Sequence, residues 1–183
     1  MINKNEYLLY YKILFVMLLN KIPTKQNIFI WTDGSCLKNP GPGGWAYLLE
    51  HHNDNDIIEY TVSSNKQHST NNQMELTAVI EALDFLNTNI LKNNISSSIT
   101  IYSDSNYTIK GITQWMHNWI RKNQTSRPNW SLWERLWNLN KLIEKNHQIN
   151  YQWVRAHSDN QKNNIVDQLA RQRASEIVSE HQN

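Results

Sequence analysis

Four acidic residues, Asp33, Glu75, Asp104 and Asp167, carry the most chemistry in this 183-residue sequence. Asp33 immediately follows a short β-branched and aromatic run, Ile28-Phe29-Ile30-Trp31-Thr32, and Asp104 immediately follows a second, Ile99 to Tyr102. If these runs are parallel neighbouring strands, both carboxylates emerge at one sheet edge. Glu75 falls in the first or second turn of a predicted helix and Asp167 near the start of another. Helix N-termini would then bring two more acids toward the same edge. An aspartate after a strand is commonly a turn former or a helix cap, and Glu75 alone would be an ordinary exposed helix position. That bland reading has to hold four times over. Crowded carboxylates repel one another and lose hydration unless a divalent cation fills the gap. Ligation by oxygen alone, without a Cys or His set, points to a hard cation, Mg²⁺ or Mn²⁺. Two such ions roughly 3.5–4 Å apart would clamp a scissile phosphate, one activating water and the other stabilising the leaving oxygen.

The elements that must position these acids follow from period and punctuation. Ile28 to Thr32 predicts a buried strand, stopped at Asp33-Gly34-Ser35 and followed by a loop through Asn39-Pro40-Gly41-Pro42-Gly43-Gly44. Trp45 to Leu49 is a second strand, and Asp54-Asn55-Asp56 turns into a third, Ile57 to Val62. Leu76, Val79, Ile80, Leu83 and Leu86 then recur at helical spacing, with Thr70 or Asn71 available as the cap. A fourth strand at Ile99 to Tyr102 leads to a helical region from about Asn106 to Arg121, interrupted near Gly111. A helix from Leu132 to about Lys145, a fifth strand from Ile149 to Val154 and a last helix from Asn163 to about Ser179 complete the chain. The order βββαβααβα predicts an α/β fold with a five-stranded mixed sheet flanked by helices. Right-handed crossovers would set the later strands parallel to the first, with ligands beyond their carboxyl ends.

Length fits a single domain able to bury a core. One cysteine, Cys36, excludes an internal disulfide and a Cys-based zinc cluster, and fits a reducing compartment such as the cytoplasm. The net charge of +2 says little, but its distribution says more. Between Lys110 and Lys145 seven basic residues face only Glu134 and Glu144, a local charge of +5, which leaves the rest at −3. That asymmetry predicts a polyanion-facing patch beside an acidic pocket. Residues 1–26 read as an extension outside the catalytic domain at 27–183. In it, Tyr7 to Leu19 is thirteen mostly apolar residues broken only by Lys12, too short to cross a bilayer comfortably. A peripheral anchor, an accessory helix and sequence upstream of a true start at Met17 are the readings it allows, the last preferred; a membrane role rests on this segment alone.

Thr32-Asp33-Gly34-Ser35-Cys36 followed by Asn39-Pro40-Gly41-Pro42-Gly43-Gly44 resembles the opening signature of bacterial type 1 ribonuclease H. Thr70-Asn71-Asn72-Gln73-Met74-Glu75-Leu76 resembles that family's first-helix motif, and Tyr102-Ser103-Asp104-Ser105 its third acid. Gly111 to Trp115, His117-Asn118-Trp119 and Leu132 to Leu136 are similar to the region around its substrate-binding handle. Val154, His157 and Asp167-Gln168-Leu169-Ala170 are similar to its last strand, histidine loop and last helix. The likeness runs from about Ile28 to Ala174. It implies the ribonuclease H-like fold and endonucleolytic hydrolysis of the RNA strand of RNA–DNA hybrids, leaving 5′-phosphate and 3′-hydroxyl ends. It also implies Asp33, Glu75, Asp104 and Asp167 as ligands of two Mg²⁺ ions, and His157 as an aid to proton transfer or product release. Asn39, Asn71, Asn72, Asn106 and the backbone near Cys36 would contact the hybrid's minor groove, where 2′-hydroxyls mark the RNA strand. Thr70 and Asn118 would grip a phosphate of the DNA strand; from their own length and position near a loop, Lys110, Arg121, Lys122 and Arg127 are expected as further phosphate contacts. A monomer is the default.

Three departures from the family pattern stand out. The loop from Ile120 to Leu132 is shorter and less basic, His68 stands where the family often has arginine, and Ala156-His157-Ser158-Asp159 lacks the usual flanking glycines. None touches the four acids. The competing readings are a hybrid-binding module with weak or no catalysis, and another nuclease or transposase of the same fold. Four retained acids disfavour the first; the asparagines and the His157 loop disfavour the second.

Overall fold

The computed structural model describes residues 26–53, 56–91, 96–157 and 159–180. The apolar run Tyr7–Leu19, Met17, Asp54 and Asn55 of the expected turn, and Ser158 of the histidine loop lie outside the described residues. Among the described residues no helix is long and apolar enough to cross a membrane.

Strands β1 (Gln26–Cys36), β2 (Gly41–His52) and β3 (Ile57–Ser69) form an antiparallel meander. Helix α1 (Asn71–Phe85) leads through a π-helical turn, Leu86–Ile90, to β4 (Ser97–Ser103), which pairs parallel to β1. Helix α2 (Asn106–Lys110), a π-helical turn at Gly111–Trp115 and α3 (Met116–Arg121) form one nearly continuous rod. Helix α4 (Trp130–Ile143), strand β5 (Gln148–Trp153), parallel to β4, and helix α5 (Gln161–Glu180) follow. The sheet order is β3-β2-β1-β4-β5, so the mixed sheet is as expected, with β1 central. A central strand is covered on both faces, which is why its middle, Ile28–Trp31, is continuously apolar. On one face Ile28, Ile30, Leu49, Ile99 and Ile101 pack with Leu76, Val79, Ile80 and Leu83 of α1 and with Trp133 and Leu136 of α4. On the other, Trp31, Ala46 and Leu48 pack against Val166 and Ala170 of α5.

Two expectations need correction. Asp33 does not follow β1 but lies within it, opposite Ala46. Gly41 to Gly44 are not loop but the start of β2, with the register against β3 shifting between Gly41 and Gly43 and absorbing Pro42, which has no N–H to donate. The glycines serve approach rather than turning. A Cβ on Gly34 would stand 2.1 Å from the Glu75 backbone nitrogen, and one on Gly44 would stand 2.1 Å from the Ala170 carbonyl oxygen. Helices α1 and α5 therefore rest on bare backbone at β1 and β2. The expected interruption at Gly111 is the π-helical turn, where the Trp133 ring fills the space of the missing side chain.

Because a Cβ at Gly44 meets backbone at both Ala170 and Ala174, no side-chain rotation relieves it and α5 must move. Gly44→Ala is expected to cost about 3 kcal/mol in urea unfolding, the upper end for overpacking. A loss under about 0.5 kcal/mol would show that α5 is not held at this contact.

Candidate active site

Four different elements bring the acids together. The last registered pair between β1 and β4 is Trp31 with Tyr102. Two residues further along each parallel strand come Asp33 and Asp104, so strand register alone sets them side by side. Glu75, in the second turn of α1, is carried to Asp33 by the contact between Gly34 and the α1 backbone. Asp167 lies one turn before Ala170, where α5 touches Gly44. Thr70 caps α1: its hydroxyl accepts from the Gln73 N–H at 3.3 Å, while the Gln73 side chain accepts from the Thr70 N–H at 3.2 Å. That reciprocal box fixes the helix start from which Glu75 is counted.

The four acids, His157, Arg171 and Asn71 line one cavity of about 290 Å³. Asp33 is only 7% exposed, and its Oδ1 accepts from the Gly34 N–H at 2.8 Å. Glu75 accepts from Asn71 Nδ2 at 2.9 Å through one oxygen and from the Ser105 hydroxyl through the other. Asp104 Oδ2 accepts from Asn163 Nδ2 at 3.2 Å, and its carbonyl accepts from the Trp153 indole N–H at 2.9 Å. Asp167 Oδ1 accepts from Arg171 Nε at 2.8 Å, and its Oδ2 lies 3.7 Å from His157 Nδ1. Arg171 Nη2 is 3.2 Å from His157 Nε2. A guanidinium only donates, so that ring nitrogen accepts and the imidazole proton sits on Nδ1. His157 takes a left-handed backbone (φ 49°) without a glycine.

Crowding shows in the proton affinities. Burial, then the Asp104 carboxylate, and more weakly Asp167 and Glu75, push Asp33 up to about 8 against the opposing Gly34 hydrogen bond. Burial and Asp104 push Glu75 up to about 7, opposed by its bonds from Ser105 and Asn71. Among the described residues no three His, Cys, Asp or Glu side chains form a ready-made ion cage. Each acid instead leans toward a neighbouring donor. As a donor set they nevertheless suit a hard divalent cation: four carboxylates share one cavity, and burial, then neighbouring charge, keeps two of them from ionising readily.

Of the other expected contact residues, only Asn71 lines this cavity. Asn39 Oδ1 accepts from the Asn71 N–H at 3.1 Å, across the start of α1. Cys36 directs its thiol at the Ser69 carbonyl, 3.2 Å away. Asn72, Asn106 and Lys122 are exposed, as is His68 on β3. Asn118 accepts from Arg121 at 3.0 Å. Of the basic stretch, Arg135 is spent on Glu81 and Asp84, and Lys141 on Glu144. Lys110, Arg121, Lys122 and Arg127 form no ion pair among the described residues. Trp115 and Trp119 belong to an aromatic cluster with Tyr107 and the fully buried Trp133. Sequence reasoning missed Arg171, Asn163 and Trp153. The signal for two of them was present: Asn163, Asp167 and Arg171 stand four apart, on one face of α5.

The sequence profile of the RNase H family matches residues 25–175. The chain belongs to the ribonuclease H family. Ribonuclease H of Roseobacter denitrificans is 40% identical over 150 residues, covering 79% of this chain and 93% of the relative. Ribonuclease HI of Pasteurella multocida is 44% identical over 152 residues, 80% of this chain and 89% of the relative. Among solved structures, the LC9 type 1 ribonuclease H with the type 2 active-site motif superposes with a TM-score of 0.68 at 28% identity, over 85% of this chain and 74% of that one. The LC11 ribonuclease H in complex with RNA/DNA hybrid gives 0.60 at 18% identity, over 82% and 99%, a likeness of fold.

Raised affinities fix the sign of a pH effect in the cation-free protein. Asp33 and Glu75 have folded values of about 8 and 7, above their unfolded values near 4. Their contribution is fully present below about pH 4 and lost as pH rises toward 8, where the folded state must hold both ionised. Asp33→Asn is therefore expected to gain stability over the parent between pH 5 and pH 8 in EDTA, on the order of 2 kcal/mol by urea unfolding. An equal difference at both pH values would sink the account by burial and neighbouring charge.

Proposed function

We propose that this chain hydrolyses the RNA strand of RNA–DNA hybrids endonucleolytically, leaving 5′-phosphate and 3′-hydroxyl ends. One observation carries the reading: in a chain of the ribonuclease H family, a single cavity is lined by acids from β1, α1, the end of β4 and α5. The related fold found in complex with RNA/DNA hybrid supports the same substrate class.

On this reading Asp33, Glu75, Asp104 and Asp167 hold Mg²⁺, two ions per site, with Mn²⁺ able to substitute. Bound there, the ions supply Lewis-acid stabilisation of the scissile phosphate and favour ionisation of the attacking water. The chain's own residues bind, orient and pass protons. Asn71 and Ser105 orient Glu75, and Asn163 orients Asp104. His157 passes a proton at Nε2 or eases product departure once Arg171 releases that nitrogen. Asn39, Asn71, Asn72, Asn106 and the backbone at Cys36 face the minor groove, reading 2′-hydroxyls. Thr70 and Asn118 hold a phosphate of the DNA strand. Lys122, exposed and unpaired with any acid among the described residues, adds a screened phosphate contact. The catalytic domain is residues 27–183, acting as a cytoplasmic monomer.

The deciding assay compares labelled hybrid, single-stranded RNA, duplex RNA and duplex DNA, each with Mg²⁺ and with EDTA. Cutting confined to the RNA strand of the hybrid, and only with Mg²⁺, is expected. A folded protein that binds the hybrid without cutting it would be the binding module instead. In a salt titration of hybrid binding, Lys122→Glu is expected to lower the log–log slope by about one. An unchanged slope removes Lys122 from the contact surface.

A further inference from the structure

Among the described residues Arg171 is the one lysine or arginine that lines the acid cavity, its side chain 57% exposed, and the chemistry of the acids does not account for it. Its guanidinium closes a triangle. Nε donates to Asp167 Oδ1 at 2.8 Å, Nη2 lies 3.2 Å from His157 Nε2, and His157 Nδ1 faces Asp167 Oδ2 at 3.7 Å. Both oxygens of Asp167 thus face nitrogen, and the histidine loop is tied to α5 through the same side chain. Arg173, two residues along the same helix, turns away to Ser63 and Glu176. The two arginines carry equal charge, but only one lines the cavity.

A carboxylate clamped by a guanidinium has its charge offset and its oxygens oriented toward nitrogen. A divalent cation approaching Asp167 must push against that solvent-screened positive charge and break the Arg171 hydrogen bond. Resting on the reading of the acids as a divalent-cation site, we propose that Arg171 is a built-in counter-ion at Asp167: it secures the acid and the histidine loop while no ion is bound, competes with the ion, and gives way to it. Cation binding at Asp167 and release of His157 Nε2 then become one event. Arg171 acts through Asp167 and His157 and is a positioning residue.

The test titrates the full chain with Mg²⁺ alone by calorimetry, comparing wild type with Arg171→Met, Arg171→Lys and Arg173→Met. Arg171→Met is expected to bind Mg²⁺ roughly 3- to 10-fold more tightly, because the competing charge is gone. Arg171→Lys keeps the charge but loses the two-pronged geometry, so it should fall between. Arg173→Met should stay within about twofold of wild type, its charge being directed elsewhere. A second readout needs no substrate either: Arg171→Met should melt lower in EDTA and gain more from saturating Mg²⁺ than wild type does. Unchanged or weaker Mg²⁺ binding in Arg171→Met reduces Arg171 to a surface ion pair and overturns the proposal. Equal tightening by Arg173→Met overturns it too, since net charge would then explain the effect. If no variant and not the wild type binds Mg²⁺, the divalent-cation reading of the acids fails first and takes this inference with it.

Discussion

Carboxylates of like charge do not gather unless something holds them, and here the backbone does. The in-step run of β1 and β4 brings Asp33 beside Asp104. Two helices then press onto the sheet at glycines, α1 at Gly34 and α5 at Gly44, each contact so close that a single added carbon would strike backbone. Repulsion among the acids is thereby paid for by packing elsewhere in the fold. The hydrophobic layers on the two faces of the sheet supply it, with α1 buried among β1, β2 and α4 and α5 closing the opposite side. Loosening either glycine contact would let the acids drift apart, which is the arrangement their charges favour.

The same helix start that carries Glu75 also anchors the basic half of the molecule. From Thr70 a chain of side-chain hydrogen bonds runs through Gln73 to Asn129 Oδ1 at 3.1 Å, then from Asn129 to the Tyr107 hydroxyl at 3.2 Å. The Trp133 indole N–H donates to that hydroxyl at 3.0 Å. Trp133 in turn fits over Gly111 at the π-helical turn, so α2, α3 and α4 keep one orientation relative to α1. Asn129, held with a left-handed backbone (φ 62°), closes the short loop after Arg127. Arg127 itself lies over the Trp119 ring at 5.5 Å. Exposed cations on this half and acids in the cavity are thus linked through one rigid path rather than through solvent.

Legibility in the sequence followed the locality of each signal. Strand and helix order could be read because β-branched runs and helical spacing are local, and the parallel pairing of β4 with β1 follows from general handedness. Asp33 inside β1 could not be read: Asp33-Gly34-Ser35 has the composition of a turn, and only pairing with β2 across Ala46 keeps it extended. Gly41 to Gly44 misled for the same reason. Their composition announces a loop, while their use is to admit Met74 and α5, a contact more than a hundred residues distant in the case of Gly44. The four acids stood out because each adjoins a recognisable element. Trp153 escaped because its indole bonds the Asp104 carbonyl 49 residues away, and no local pattern encodes that. Arg171 and Asn163 were within reach of helical spacing, but a search for metal donors passes over an arginine and an asparagine.

Charge balance joins these features. An acidic cavity repels a phosphate backbone, while the cations of the 110–145 stretch that form no ion pair among the described residues attract one. Within the protein the excess is offset by proton affinities raised at Asp33 and Glu75 and by a guanidinium on Asp167. Each of these is a positive charge that a divalent ion can replace. If the acids hold such ions, binding them expels protons from one side of the cavity and Arg171 from the other, and the same exchange turns the cavity from repelling phosphate to attracting it. Under that condition the crowding has a use: carboxylates that were comfortable alone would gain little from a metal ion, and a site that gained little would bind it weakly.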